Sequence, residues 1–149
     1  MRDFFDGNTY INHLLAEHHR LHKLVHHAAV DFRTRPAQVD MVGDLGEIRR
    51  ELQRHFAEEE EGGCLEEAVS RCPRISPSAE HIKDEHPFLM QELDRLIARA
   101  KTLTEVDRED FVCDFADFCR RLHKHEAEEN LLLQQGFGMA VNGDDAKVT

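Results

Sequence analysis

The chain has no tryptophan, one tyrosine, eight glycines and four prolines in 149 residues. So few turn formers, set against an abundance of Leu, Ala, Glu, Arg and His, favour helix over sheet. No apolar run approaches the length of a membrane span, and the N-terminus has no signal-peptide pattern. The expectation is no membrane association and a cytoplasmic location. Basic residues are also scarce, with 19 Lys and Arg against 30 Asp and Glu, a formal charge of −11. Nucleic acid and anionic membranes select basic patches, so neither is an expected partner, and nothing singles out a protein partner. The four cysteines, Cys64, Cys72, Cys113 and Cys119, have no CxxC spacing. Cys113 and Cys119 lie six apart on a predicted helix, on different faces, which points to buried free thiols in reducing surroundings.

What the chain does have is helical periodicity. Residues 1–149 read as one domain, with a bundle over about 10–135 and a tail over 136–149 that reads as poorly ordered from Val141. Asn8 or Thr9 is a candidate cap for a first helix starting near Tyr10, with Ile11, Leu14, Leu21, Val25, Ala28 and Phe32 in step until Arg33 to Pro36. Asp40 starts a second helix on Leu45, Ile48 and Leu52, interrupted at Gly62-Gly63, and a short helical piece runs from Leu65 towards Cys72-Pro73. Ser76-Pro77 reads as a cap followed by a first-turn proline. A third long helix then carries Ile82, Leu89, Leu93, Leu96 and Ile97. After a turn at Thr104 to Asp107, a fourth carries Phe111, Phe115, Phe118, Leu122 and Leu132 and stops at Gly136. Four amphipathic helices with short connections predict an all-α, up-down-up-down antiparallel four-helix bundle.

An ordinary bundle has an all-apolar seam, and this one does not. His18 falls in the first stripe, His86 in the third, His55 and Glu59 in the second, and His125 and Glu129 in the fourth. His13 and His81 share their faces with charged residues, and His123 lies about 160° around the helix from His125. These three are assigned to solvent, and His19, His26 and His27 to the surface or its boundary. His18 and His86 lie some two turns from the starts of their helices, while the two His-x-x-x-Glu pairs lie near the ends of theirs. In an up-down bundle all six side chains then share one layer at one pole. Two buried carboxylates without a cation would cost several kcal/mol each or would have to bind protons. Two carboxylates among four imidazoles suit a pair of metals bridged by both glutamates. That donor set, with room for an exogenous oxygen species, points to iron ahead of manganese or zinc.

These residues resemble the hemerythrin-like (HHE cation-binding) domain family. Its twice-repeated signature is Glu-His in one helix and His-x-x-x-Glu in the next. Here it appears as Glu17-His18 with His55 to Glu59, and as Glu85-His86 with His125 to Glu129. The two copies are offset by 68 residues in the Glu-His elements and by 70 in the others, which supports an internal duplication. The resemblance covers about residues 10–135. It implies a non-haem di-iron centre of the Fe-O(H)-Fe type, with Glu59 and Glu129 as bridges and His18, His55, His86 and His125 as terminal ligands. The oxygen carriers of the family have a fifth histidine from the third helix. Here Ile82 and Met90 occupy the positions four before and four after His86. His22, four after His18, is a candidate replacement. Glu58 and Glu60 flank the bridge and point about 100° away. Glu17 and Glu85 are expected to be solvated, with orientation of a ligand histidine as the alternative.

The expected function is a non-haem di-iron protein that reacts with or senses a small gaseous or peroxide ligand such as O2, NO or H2O2. The alternatives are a reversible O2-binding or storage hemerythrin and an iron storage or donor protein. Whether the protein is an enzyme is left open. No catalytic residue and no organic cofactor site is expected. A shielding ring is predicted from Leu14, Leu21, Leu52, Phe56, Leu89, Leu122 and Leu132. The ferritin-like pattern is excluded, because its Glu-x-x-His puts the glutamate first and three residues ahead.

Overall fold

The structure, a computed structural model, describes residues 7–138, and every regular element among them is helical. Five helices occur: α1 (Gly7–Thr34), α2 (Met41–Gly62), α3 (Cys64–Arg71), α4 (Ser76–Lys101) and α5 (Arg108–Phe137), with a 3-10 turn at Pro73–Ile75. The four long ones are the predicted amphipathic helices, and α3 is the short predicted piece. α1 packs against α2 and α5, and α4 packs against the same two, so the long helices form a closed ring of neighbours. α3 lies mainly on α5. Residues 1–6 and the expected tail from Val141 lie outside the described residues.

Several boundaries differ from expectation for local reasons. α1 already includes Asn8 and Thr9, so neither is the cap of a helix starting near Tyr10. Asp40 does cap α2, its carboxylate accepting from the Gly43 N–H at 2.9 Å. The chain breaks between α2 and α3 at Gly63, which takes the left-handed φ of 71° that an L side chain resists. Ser76 is not a cap but the first residue of α4, because the 3-10 turn runs directly into the helix and its N–H already bonds Pro73 O. Gly136 does not stop α5. A Cβ there would lie 2.5 Å from the Ala68 Cβ, so this glycine lets α3 and α5 touch, and the helix ends at Gly138 with φ of 64°.

Pro87 lies inside α4, directly after His86. It cannot donate to the carbonyl four residues back, at Lys83, so α4 lacks one rung where the seam turns polar.

The buried apolar residues fall into two clusters. The larger holds Leu21, Val25, Phe32, Leu52, Phe56, Leu89, Phe115 and Leu122, among others. The smaller holds Ile11, Leu14, Cys64, Leu65, Ala68, Ile82 and Leu132, among others. In α1 the boundary between them falls between Leu14 and Leu21, in α4 between Ile82 and Leu89, and in α5 between Leu122 and Leu132. Those are the intervals that carry His18, His86, His125 and Glu129. A polar layer therefore divides the core in two.

Of the cysteines, only Cys64 is buried; Cys72 and Cys119 are half-buried and Cys113 is exposed. The expectation of four buried thiols fails for Cys113 because it lies two residues past Phe111, about 200° around α5 from the seam.

Candidate metal centre

Each of the four long helices contributes to the layer because a polar residue replaces an apolar one in its inward stripe. All six predicted ligands are buried: His18, His55, Glu59, His86, His125 and Glu129. Their donor atoms fall into two groups, His18–His55–Glu59–Glu129 and Glu59–His86–His125, each close enough to share one metal ion. Glu59 belongs to both. Glu129 joins only the first in this geometry, although both glutamates were expected to bridge.

The distances are short. His18 Nε2 lies 3.0 Å from Glu129 Oε1, and His55 Nε2 lies 3.1 Å from Glu59 Oε2. His86 Nε2 lies 3.5 Å from Glu59 Oε1. His18 Nε2 and His55 Nε2 face each other at 3.0 Å. The glutamates stand at ion-pair distance from the imidazoles without hydrogen-bond geometry. Both oxygens of Glu59, both of Glu129, and the Nε2 atoms of His86 and His125 are buried with no hydrogen-bond partner. Orphaned polar atoms of this kind are costly in a closed core and rare in native proteins.

The opposite ring nitrogens are all engaged. His18 Nδ1 meets Asn130 Oδ1 at 2.9 Å, and His55 Nδ1 meets Glu17 Oε1 at 2.8 Å. His86 Nδ1 meets Glu60 Oε2 and His125 Nδ1 meets Glu85 Oε1, each at 2.6 Å. An oxygen acceptor at Nδ1 makes that nitrogen the protonated one and leaves a lone pair on Nε2. All four imidazoles thus turn Nε2 inward, where it can ligate a metal whenever it carries no proton. The donor set and its polarity fit metal ions.

These outer partners correct the sequence reading. Glu17 is 2% exposed rather than solvated, and Glu85 is 30% exposed with one oxygen turned in to His125. The duplication was the signal that could have found them: Glu17 maps onto Glu85 at the offset of 68, and Glu60 onto Asn130 at the offset of 70.

His22 does not join the layer. It is exposed and faces His26 and His123, with ring centroids 6.1 and 5.3 Å away. One turn beyond His18 it is level with the larger apolar cluster, and Leu21 and Val25 take the inward positions. The six histidines assigned to the surface, His13, His19, His26, His27, His81 and His123, are all exposed.

The sequence reading missed Glu126. It is 5% exposed, and one of its oxygens is buried without a partner. Burial pushes its carboxyl up to about 7, against the pull of His18 and His55. At the repeat offset of 70 it corresponds to Phe56, whose ring stacks on His86 at 3.9 Å. The two halves of the layer therefore differ, one roofed by an aromatic ring and the other flanked by a carboxyl.

The electrostatics show what the layer needs. Burial alone would lower the His18 imidazole, but Glu129 and Glu59 outweigh it and push it up to about 11. His55 rises to about 9 by the same balance with Glu59. Burial lowers His125. Burial acts to raise both bridging candidates. The nearness of Glu129, His18 and His55 nevertheless holds Glu59 below the ordinary range, while burial and the Glu59 charge raise Glu129. These shifts favour protons on His18, His55 and Glu129 around the Glu59 charge.

Comparison with protein-family models, with curated proteins and with solved structures returns no match. What the site can do therefore rests on its own geometry: buried His and Glu clusters that could hold metal. The residues of the predicted shield, Leu14, Leu21, Leu52, Phe56, Leu89, Leu122 and Leu132, are all buried. No helix among the described residues is long and apolar enough to cross a membrane.

Proposed function

We propose that this chain is a hemerythrin-like, up-down-up-down bundle whose polar layer holds two iron ions and uses them to react with or sense O2, NO or peroxide. One observation carries the reading. Four buried imidazoles, each fixed at Nδ1 by an oxygen acceptor, turn Nε2 towards two buried glutamates whose oxygens have no other partner. The ring of neighbouring helices supports the up-down order.

On this reading His18 and His55 hold one metal, His86 and His125 the other, and Glu59 spans both, with Glu129 completing the first. Bound there, iron would supply one-electron redox chemistry and coordination positions that six protein side chains leave open. The protein's part is to fix these ligands and keep water out. Glu17, Glu60, Glu85 and Asn130 set the tautomers, Phe56 covers the His86 ring, and leucines close the layer above and below. A site so dry keeps ligand charge unscreened.

No fifth histidine is available. Ile82 is buried in the apolar cluster, and His22 is exposed. That favours sensing or redox reaction over reversible carriage. The test is metal analysis of protein isolated from iron-replete cells, with optical spectra of the reduced protein before and after oxygen. Two irons per chain and an oxygen-dependent charge-transfer band are expected. Fewer than one metal per chain would sink the dinuclear reading, and a band that reverses on deoxygenation would instead support carriage.

A further inference from the structure

A second group of metal-ligating side chains lies outside the layer, on the groove between α4 and α5. His81, Glu85 and Glu128 bring one ligand atom each within 4.8 Å of one another. His81 Nε2 is 3.1 Å from Glu85 Oε2, while the other oxygen of the same carboxylate holds His125 Nδ1 at 2.6 Å. Glu85 thus faces outward with one oxygen and inward with the other. Glu128 Oε1 is buried and has no hydrogen-bond partner.

The duplication offers a natural comparison. At the same offsets of 68 and 70, His13, Glu17 and Glu58 form the corresponding group between α1 and α2. There the charge is already met: Arg54 lies 3.5 Å and Arg20 3.8 Å from Glu17 Oε2. In the second copy Arg20 is replaced by Phe88, which is 67% exposed, and Arg54 by Lys124, which lines the same groove as His81 and Glu85. Among the described residues no Lys or Arg pairs with Glu85 or Glu128. One copy has its arginines paired with the carboxylates, and the other has the same ligands beside a lysine that pairs with neither.

We propose that His81, Glu85 and Glu128 bind a divalent transition-metal cation of the Zn2+, Mn2+ or Fe2+ class, and that the His13 group does not. One imidazole and two carboxylates are a common donor set for such ions, and a bound water can complete the shell. Because Glu85 also holds His125, the outer cation sits one carboxylate away from the inner layer. It is placed to exchange with bulk solvent. The proposal does not depend on iron in the inner layer.

The experiment is a Zn2+ titration of the purified full chain, followed by calorimetry and by metal analysis after gel filtration. Wild type is compared with His81→Ala, Glu128→Gln and His13→Ala, with circular dichroism confirming the fold of each. Wild type and His13→Ala are expected to take up one more Zn2+ per chain than His81→Ala and Glu128→Gln. Equal uptake by all four proteins would overturn the proposal, as would the same loss in His13→Ala. The readout is a difference between proteins, so it stays legible whichever metal the inner layer holds. Should the inner layer hold no iron at all, the di-iron reading fails while the outer difference stands or falls separately.

Discussion

Glu17→Ala is expected to weaken metal binding about ten- to a hundredfold while leaving the helices intact. Glu17 is 2% exposed and accepts from His55 Nδ1 at 2.8 Å. Its other charged contacts, His13, Arg54 and Arg20, are 50%, 50% and 57% exposed. Freed of Glu17 they return to water, where such pairs contribute little. What is lost is the acceptor that fixes the His55 tautomer. The buried Nδ1–H then goes unpaired at a cost of about 1–3 kcal/mol. Alternatively the proton moves to Nε2 and blocks the ligating lone pair. Losses of such outer partners typically reduce metal affinity about 10–100-fold, or about 1.4–2.7 kcal/mol. Glu17→Gln keeps an oxygen acceptor and loses only the charge, so its affinity is expected between the two. The assay is anaerobic competition for Fe2+ against a chelator of known affinity, with Arg54→Ala as a control that binds like wild type. Undiminished affinity in Glu17→Ala would refute the role given to the outer acceptors.

His125→Ala and Glu59→Ala are each expected to abolish stable dinuclear binding, whereas His81→Ala leaves the inner pair in place; metal analysis of the three variants separates them. In the metal-free protein, His18 and His55 are raised from 6.5 to about 11 and about 9. Their stabilisation is present in full below the unfolded value and is lost as pH rises through about 9 and then about 11. Glu126, raised from 4.5 to about 7, acts in the same direction at lower pH, because the folded state holds its proton longer. Thermal unfolding of metal-free protein should therefore show lower stability at about pH 10 than at about pH 6. A flat profile would contradict this charge arrangement. Metal binding must displace the His18 and His55 protons and the proton that the raised Glu129 partly holds, so about two to three should be released per chain near neutral pH. Calorimetry in buffers of different ionisation enthalpy counts them. Gly136→Ala puts a Cβ 2.5 Å from that of Ala68, forcing α3 away from α5. A loss of about 1–3 kcal/mol in denaturant unfolding is expected.

The sequence by itself determined the helices and the six buried His and Glu side chains of the layer, because both follow from a period of about 3.6 residues. A histidine in step with leucines faces wherever the leucines face. The shared level followed from where each residue falls along its helix, about two turns from the starts of the first and third and near the ends of the second and fourth. The boundaries at Ser76 and Gly136 were less legible, since each depends on what precedes or packs against it. The residues at the edges of the stripes were decided only by tertiary structure. Glu17 and Glu85 occupy equivalent positions before a histidine of the layer, yet one is 2% and the other 30% exposed. His22 and Glu126 are both stripe neighbours; one points to solvent and the other is 5% exposed beside the site. An inward residue is buried whatever the neighbouring helix does. An edge residue is buried only when a particular neighbour, at a particular rotation, closes over it, and that information lies dozens of residues away along the chain.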